Sequence, residues 1–143
     1  MKVNEIMTHD PVYCTPESML TEIAGMMKEC DCGAIPVVEN EASRKPLGII
    51  TDRDIVIRAL AEGKDPSRTA VESCMTRSLV TVRPDDSVEE CVRLMEEHQI
   101  RRILVVDDQE ALTGMVVQAH IARNASTEET GELVQDVLKP RSR

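Results

Sequence analysis

Thr51 and Asp54 are the residues whose types and spacing best suit ligand chemistry. They belong to the stretch Gly48–Asp54, which reads Gly-Ile-Ile-Thr-Asp-Arg-Asp. This pattern predicts a buried strand that delivers both side chains to a helix N-terminus. Their spacing of three places the hydroxyl and the carboxylate on one side of the first helical turn. The positive end of a helix favours a phosphate or a polarised hydroxyl, and a carboxylate can accept from both hydroxyls of a ribose.

The same pair also fits a purely structural role. A Thr or Asp before a helix is commonly an N-cap, whose side chain accepts a hydrogen bond from the backbone of the first turn. The residues alone leave both interpretations of Thr51 and Asp54 open.

The elements that position this pair occur twice in the chain. A shift of 68 residues places Met7-Thr8 on Met75-Thr76 and Ile35–Val38 on Ile103–Val106. The register then changes by two, so that Gly48 meets Gly114, and a surface hairpin loop tolerates such a change in length. Two copies form a tandem, which predicts one pseudo-symmetric unit.

Each copy predicts the order β-α-β-β-α, and hence a mixed α/β (α+β) fold. The predicted strands are Val12–Thr15, Ala34–Val38 and Leu47–Ile50, then Val80–Val82, Ile103–Val106 and Leu112–Val117. The first helix of each copy is expected to begin at a capping residue, Ser18 or Asp86, the latter within a capping-box pattern Asp86–Glu89. The second helices are predicted at Thr51–Glu62, with Gly63 as C-cap, and at Gln118–Asn124.

These elements divide the chain into three parts. We expect residues 1–66 to form the first repeat and residues 67–124 the second, joined through the connection Ala61–Thr69. Residues 125–143 form a polar C-terminal tail with a short amphipathic stripe.

The composition of the 143-residue chain argues against two classes of partner, nucleic acids and membranes. Its net charge of −9 and a single aromatic residue, Tyr13, argue against nucleic acid, which needs basic surface or stacking side chains. No apolar run approaches the roughly 20 residues that span a bilayer, and the N-terminus lacks the apolar centre of a signal peptide. We therefore expect a cytoplasmic protein with no membrane partner.

The five cysteines lack the spacing of a metal site. Cys30-Asp31-Cys32 is a C-x-C sequence with no second cluster to face it. We expect reduced, mostly buried thiols and no bound metal. A redox or metal site that uses Cys30, Cys32 and a nearby histidine is the minor alternative.

The doubled pattern resembles a tandem CBS-domain protein, also called a Bateman module, over Val3–Asn124. The resemblance is carried by Met7-Thr8, Ile35–Val38 and Gly48–Ile55 in the first copy, and by Cys74–Thr76, Arg101–Asp107 and Gly114–Val117 in the second. It implies two repeats packed around a pseudo-twofold axis with two clefts between them. Such clefts commonly bind AMP, ADP, ATP or S-adenosylmethionine.

The resemblance also assigns site residues. Thr51 and Asp54 would hold the ribose after Gly48, and backbone near Cys14 and Thr15 would read the adenine edge. The apolar walls would come from Tyr13, Ile35, Pro36 and Ile50, and phosphate recognition would fall to Arg101 and Arg102, with Arg53 as a further candidate. A solvated strand start remains an alternative for the Arg101-Arg102 pair, and a place on the helix surface for Arg53.

The second copy departs from the motif. Val117 stands where Thr51 does, and His120 stands where Asp54 does. Valine has no polar group, and a neutral imidazole offers one acceptor for a diol. We therefore predict one competent ribose site and one degenerate site. Three roles stay open for His120: a contact with the ligand, a pH-sensitive group, or a structural role.

The function predicted is a non-catalytic module that senses an adenosyl ligand and signals through a partner or oligomer change. The sequence has no P-loop, its three histidines are scattered, and no cofactor is obligatory. The expected partners are the small molecule, a second copy bound through the CBS helices, and an unidentified effector protein. The alternative is a constitutive dimerisation or scaffold module that binds no nucleotide.

Overall fold

The computed structural model describes residues 1–77 and 79–124 of the chain. In chain order the strands and helices are β1 (Thr8–His9), α1 (Leu20–Cys30), β2 (Ala34–Val38), β3 (Pro46–Thr51), α2 (Asp52–Ile55), β4 (Thr81–Val82), α3 (Val88–His98), β5 (Arg102–Val106), β6 (Leu112–Val117) and α4 (Gln118–Asn124). A π-helical turn, Val56–Leu60, continues α2, and short 3-10 turns lie at Val3–Glu5, Pro66–Arg68 and Val71–Ser73. The predicted α/β class is confirmed.

The chain forms two compact units whose boundaries differ from those of the sequence repeats. Each unit includes a short segment that belongs to the other repeat in sequence. Among the described residues, the Asp54 unit is Pro11–Leu79, and the His120 unit combines Met1–Asp10 with residues 80–124. Each unit therefore contains most of one sequence copy together with the Met-Thr segment that lies near the start of the other copy.

In the Asp54 unit, β2 and β3 form a two-stranded antiparallel sheet. Ala34 pairs with Thr51 and Ile35 with Ile50. Every residue of β2 is buried, whereas β3 alternates between buried and half-buried positions, as expected for a strand with one face on the core. The core of this unit contains side chains from α1, from both strands and from the chain after β3. Its buried residues are Cys14, Leu20, Ile23, Met27, Ile35, Val37, Ile50, Ile55, Ala59, Val71, Cys74 and Met75.

In the His120 unit, four strands form a sheet in the order β1-β6-β5-β4. β5 pairs antiparallel with β6 and parallel with β4. Helix α3 buries Val88, Cys91 and Met95 on one face, the spacing of an amphipathic helix. Its core comprises Val3, Ile6, Met7, Val82, Val88, Cys91, Met95, Ile103, Val105, Val116 and Ile121.

The Met-Thr segments add an outer pairing to the second hairpin strand of each unit. Thr8 pairs with Met115 in β6. Thr76 exchanges two backbone hydrogen bonds with Ile49 in β3, of 2.9 and 2.8 Å. Both pairings run close to a glycine of the motif. A Cβ on Gly48 would meet the Thr76 carbonyl, so this position requires the absence of a side chain.

The structure corrects where the first helices begin. The N-cap of α1 is Met19 rather than Ser18, and it makes no side-chain cap bond. The Leu20 N–H instead donates to the Thr69 carbonyl at 3.0 Å, so backbone replaces the cap. The N-cap of α3 is Ser87, whose hydroxyl accepts from the Glu90 N–H at 3.1 Å. Asp86 accepts from the Arg83 N–H instead.

Two other predictions need correction, one on a strand and one on a helix. Val12–Thr15 is not a strand, and Cys14 alone forms a parallel bridge with Val37. The helix after Thr51 changes to π-helical geometry at Val56–Leu60, with its C-cap at Ala61 rather than Gly63. Gly63 lies two residues further on, with a φ of +73°. Helix α4 is confirmed at its predicted bounds, and the predicted stripe of the tail lies outside the described residues.

The cysteines differ from expectation at one place. Cys30 and Cys32 form a disulfide bond at the end of α1, so the prediction of reduced thiols is wrong for this pair. Cys14, Cys74 and Cys91 are free and buried, as predicted. The two sulfurs can meet because Asp31 takes a left-handed conformation with a φ of +52°, which brings the flanking Cα atoms to 5.4 Å.

Candidate ligand site

Thr51 and Asp54 lie at the junction of β3 and α2, where they form a reciprocal capping box. The Asp54 N–H donates to Thr51 Oγ1 at 3.0 Å, and the Thr51 N–H donates to Asp54 Oδ2 at 3.1 Å. The structural role is therefore real. It leaves chemistry available, because the Thr51 hydroxyl can still donate its proton and a carboxylate has about four acceptor positions.

The Asp54 carboxylate is buried and held on several sides. Its residue is 8% exposed. Thr76 Oγ1 lies 3.4 Å from each carboxylate oxygen, and Arg58 Nε lies 3.7 Å from Oδ1. The Arg58 guanidinium also donates to the carbonyls of Cys74 and Met75, at 3.3 and 3.2 Å. A buried carboxylate requires such partners, and they fix its orientation.

Sequence reasoning missed Arg58 and Thr76. Arg58 was detectable, because it stands four residues after Asp54 on the predicted helix, the spacing of an ion pair. The repeat alignment showed the second Met-Thr dipeptide, which contains Thr76, but did not indicate which motif it would face.

The predicted apolar wall is mainly core in this structure. Ile35 and Ile50 are paired across the sheet, and each is 0% exposed. Pro36 is buried and pairs with Ile49, and Tyr13 and Thr15 are half-buried. The predicted wall contacts with a ligand stay predictions.

The backbone of Cys14 is already paired within the sheet. Its N–H donates to the Pro36 carbonyl at 3.0 Å, and its carbonyl accepts from the Val38 N–H at 2.8 Å. Any reading of a base edge by this segment therefore depends on the neighbouring backbone of Tyr13 and Thr15. Burial, and then the charge of Glu22, raises the pKa of the Cys14 thiol to about 12, so this group stays protonated.

The three arginines proposed for phosphate lie on two units. The Arg53 side chain is exposed on α2. Arg101 and Arg102 belong to the His120 unit, where Arg102 begins β5 opposite Val117. The Arg101 carbonyl accepts from the Gln118 N–H at 3.0 Å. The phosphate role of all three stays a prediction.

The second motif repeats one of the two capping bonds of the first, with a different side-chain atom. The Val117 N–H donates to His120 Nδ1 at 3.2 Å, and His120 Nε2 lies 3.4 Å from Thr8 Oγ1. Because Nδ1 accepts, the neutral ring carries its proton on Nε2 and directs it at Thr8. Burial, followed by the charge of Arg123, lowers the pKa of His120 below its ordinary value.

Metal-binding groups and membrane-spanning helices were also sought in the described residues. Within residues 1–77 and 79–124, no group of three or more His, Cys, Asp and Glu side chains is placed to hold a metal ion. No helix in those ranges is both long and apolar enough to cross a membrane.

The family follows from a comparison with known protein families. The CBS domain model matches residues 3–60 and 71–126. The chain belongs to the CBS-domain family. The prediction of a tandem CBS pair is thereby confirmed, with one match for each sequence copy.

Curated proteins and solved structures include CBS relatives of similar length. YlbB of Bacillus subtilis (strain 168), described as an uncharacterized protein, is 38% identical over 137 residues, which cover 95% of this chain and 90% of YlbB. The crystal structure of Hypoxic Response Protein I with two coordinated zinc ions is 33% identical, with a TM-score of 0.78, and the match covers 88% of this chain and all of the other.

A further structure bears on ligands. The CBS domain pair of protein MJ0100, in complex with 5′-methylthioadenosine and S-adenosyl-L-methionine, is 29% identical with a TM-score of 0.76. The match covers 86% of this chain and 98% of that one. CBS pairs of this kind therefore include binders of adenosyl compounds.

Proposed function

We propose that this CBS pair is a non-catalytic regulatory module that binds an adenosyl ligand through Thr51 and Asp54. The observation that carries the proposal is the reciprocal Thr51–Asp54 pairing, with bonds of 3.0 and 3.1 Å. It holds a hydroxyl and a carboxylate side by side in one orientation. A site whose polar groups are already oriented loses less entropy when a ligand binds.

The chemistry of this pair suits a vicinal diol. The two ribose hydroxyls would donate to the Asp54 carboxylate, which is 8% exposed in the free protein. They would share it with Thr76 and Arg58. Hydrogen bonds to a charged acceptor inside a low-dielectric site are stronger than bonds between neutral groups. S-Adenosylmethionine, 5′-methylthioadenosine and the adenine ribonucleotides all carry this diol, so the pair reads a feature that they share.

The likeness to the MJ0100 pair supports an adenosyl compound as the ligand class. Ligand binding would act on this module by favouring one conformation, and only to the extent that the ligand binds that conformation more tightly. The output would be a changed affinity for an effector protein or for a second copy of the chain.

Calorimetric titration of the full chain tests the proposal. The protein is first stripped of retained nucleotide and then titrated with S-adenosylmethionine, 5′-methylthioadenosine, AMP, ADP and ATP. 2′-Deoxy-AMP is the matched control for AMP, because it lacks one hydroxyl of the diol. We expect about one ligand per chain and weaker binding of the deoxy compound. Equal binding of AMP and 2′-deoxy-AMP would contradict the role of the Thr51–Asp54 pair.

A constitutive dimerisation module is the second candidate, favoured by an apolar surface on the second helix of the Asp54 unit. Val56, Ile57 and Leu60 are 50%, 42% and 53% exposed on its π-helical turn. Exposed apolar side chains grouped on one helix indicate an interaction surface. Sedimentation equilibrium would compare the wild type with Ile57→Asp. Val12→Asp, at a position 49% exposed outside this helix, is the control. The second candidate predicts a dimer that only Ile57→Asp dissociates.

A further inference from the structure

The position of the Asp54 carboxylate depends on a segment outside its own sequence repeat. Its Oδ2 accepts from the Thr51 N–H at 3.1 Å. Thr76, which lies near the start of the other copy in sequence, provides a hydroxyl at 3.4 Å from both oxygens. A single donor spaced equally from two acceptors limits rotation of the carboxylate about its Cβ–Cγ bond.

Thr76 is itself fixed by the sheet. Its N–H donates to the Ile49 carbonyl at 2.8 Å, and its carbonyl accepts from the Ile49 N–H at 2.9 Å. The close approach is possible because Gly48 has no Cβ, and a Cβ there would meet the Thr76 carbonyl. The hydroxyl is therefore presented by a residue that is hydrogen-bonded on both sides to strand β3, which is a more exact support than a free loop.

Arg58 ties the same segment to the same carboxylate. Its guanidinium donates to the carbonyls of Cys74 and Met75, at 3.3 and 3.2 Å, while its Nε lies 3.7 Å from Asp54 Oδ1. The positive charge that faces Asp54 is thus placed by the two residues that precede Thr76. Movement of this segment would change both interactions together.

We propose that Thr76 is a positioning residue of the Asp54 site. It holds the carboxylate in the orientation that a ribose diol requires, although it comes from outside the repeat that contains the motif. The proposal rests on the proposed function for its effect on binding. Its effect on the carboxylate can be measured in the free protein.

The two motifs supply the matched control. Thr8 occupies in the His120 unit the place that Thr76 occupies in the Asp54 unit, and it lies 3.4 Å from His120 Nε2. Thr8→Val and Thr76→Val remove the same hydroxyl from an exposed position. Only Thr76→Val removes a hydrogen-bond donor to a carboxylate, that of Asp54.

The experiment measures two quantities on the full chain. The first is the affinity for AMP and S-adenosylmethionine. The second is the rate of hydrogen exchange of the Thr51 amide, which donates to Asp54. Thr76→Val is expected to weaken binding about three- to tenfold, the typical effect of one hydrogen bond, and to speed exchange at Thr51. Thr76→Ser should restore both quantities, and Thr8→Val should leave both at the wild-type value.

The outcomes separate the two proposals. If the wild type binds no adenosyl probe but Thr76→Val still speeds exchange at Thr51 alone, the positioning role stands and the proposed function fails. Unchanged binding together with unchanged Thr51 exchange in Thr76→Val would overturn the positioning role. It would also be overturned by faster exchange throughout β2 and β3, because a general loss of stability would then explain the result.

Discussion

The two motif junctions of this protein share one backbone arrangement and differ in what they offer a ligand. In each, the N–H of the first motif residue donates to the side chain three residues later: Thr51 to Asp54 at 3.1 Å, and Val117 to His120 at 3.2 Å. In each, a threonine from a Met-Thr dipeptide lies 3.4 Å from that side chain. The same backbone arrangement therefore accepts either an aspartate or a histidine at the last position of the motif.

The direction of the last hydrogen bond is what changes. Thr76 donates to the Asp54 carboxylate, whereas the neutral His120 ring donates from Nε2 to Thr8, because its Nδ1 accepts from Val117. A ribose diol needs acceptors, and Asp54 supplies them. His120 keeps one bond of the capping pair, the one from the Val117 N–H, but valine has no side-chain oxygen to cap the helix and the ring has no carboxylate to offer a diol.

The largest effect is expected from removing the carboxylate of the first motif. Asp54→Ala should weaken adenosyl binding about 100-fold, because hydrogen bonds to a charged group contribute about 1.5–3 kcal/mol each. The same change should lower the free energy of unfolding by about 1 kcal/mol, because the Thr51 N–H loses its acceptor while the Thr51 hydroxyl still caps the helix. Calorimetry with AMP and urea unfolding measure the two effects.

His120→Ala and Asp54→Asn are the controls for that prediction. His120→Ala should leave binding almost unchanged, since the second motif lacks the acceptors of a ribose site. Asp54→Asn preserves the side-chain shape and one oxygen, so it separates loss of charge from loss of the cap. Binding that is lost in His120→Ala and kept in Asp54→Ala would show that the site has been assigned to the wrong motif.

A smaller effect is expected at the two motif glycines. Gly48→Ala would place a Cβ against the Thr76 carbonyl, whereas Gly114→Ala would place it against the end of the Met7 side chain. Backbone cannot move away as a flexible methionine can. We expect a loss of about 2–3 kcal/mol in the free energy of unfolding for Gly48→Ala and about 1 kcal/mol for Gly114→Ala.

Urea midpoints measured at equal protein concentration give the comparison. Binding adds a second readout, because Gly48→Ala should displace Thr76 and weaken the affinity for AMP, whereas Gly114→Ala should not. Equal destabilisation by the two substitutions would contradict the different packing of the two glycines.

Local patterns predicted most of the fold, and non-local pairings account for the main differences. β2, β6 and α4 have their predicted bounds, and in the two strands these bounds follow short, largely apolar runs. The partners of the Met-Thr segments were not predicted, since an internal repeat of 68 residues looks the same whether Thr76 faces its own motif or the other one. Strand pairing over long distances leaves no local signal.

Non-local packing also explains the errors at helix starts and the different environment of the predicted apolar wall. Ser18 has a good capping side chain, but the Thr69 carbonyl satisfies the Leu20 N–H instead, and that carbonyl comes from about 50 residues away in sequence. The Thr51–Asp54 pair was recognisable because its chemistry is local. The motif predicted a buried strand but did not show that Ile35 and Ile50 face the core rather than a ligand, because that depends on the packing of the whole unit.

The smallest expected effect is a dependence of the free energy of unfolding on pH, caused by protonation of His120. An imidazolium has an N–H at both ring nitrogens, so it cannot accept from the Val117 N–H. Burial, and then Arg123, lowers the pKa of His120 below 6.5, so the folded protein disfavours the protonated ring. Above the unfolded pKa of about 6.5 the ring is neutral in both states and the stabilisation is complete.

As the pH falls below that value, the unfolded chain takes up the proton first, so the free energy of unfolding declines until the folded ring also protonates. The decline should be modest, because the ring is partly exposed and solvent screens its charge. Measuring the free energy of unfolding between pH 7.5 and 5 for the wild type and His120→Ala, and taking the difference, isolates this contribution. A difference that is constant over the range, or a nitrogen NMR spectrum with the neutral proton on Nδ1, would contradict the hydrogen bonding assigned to the second motif.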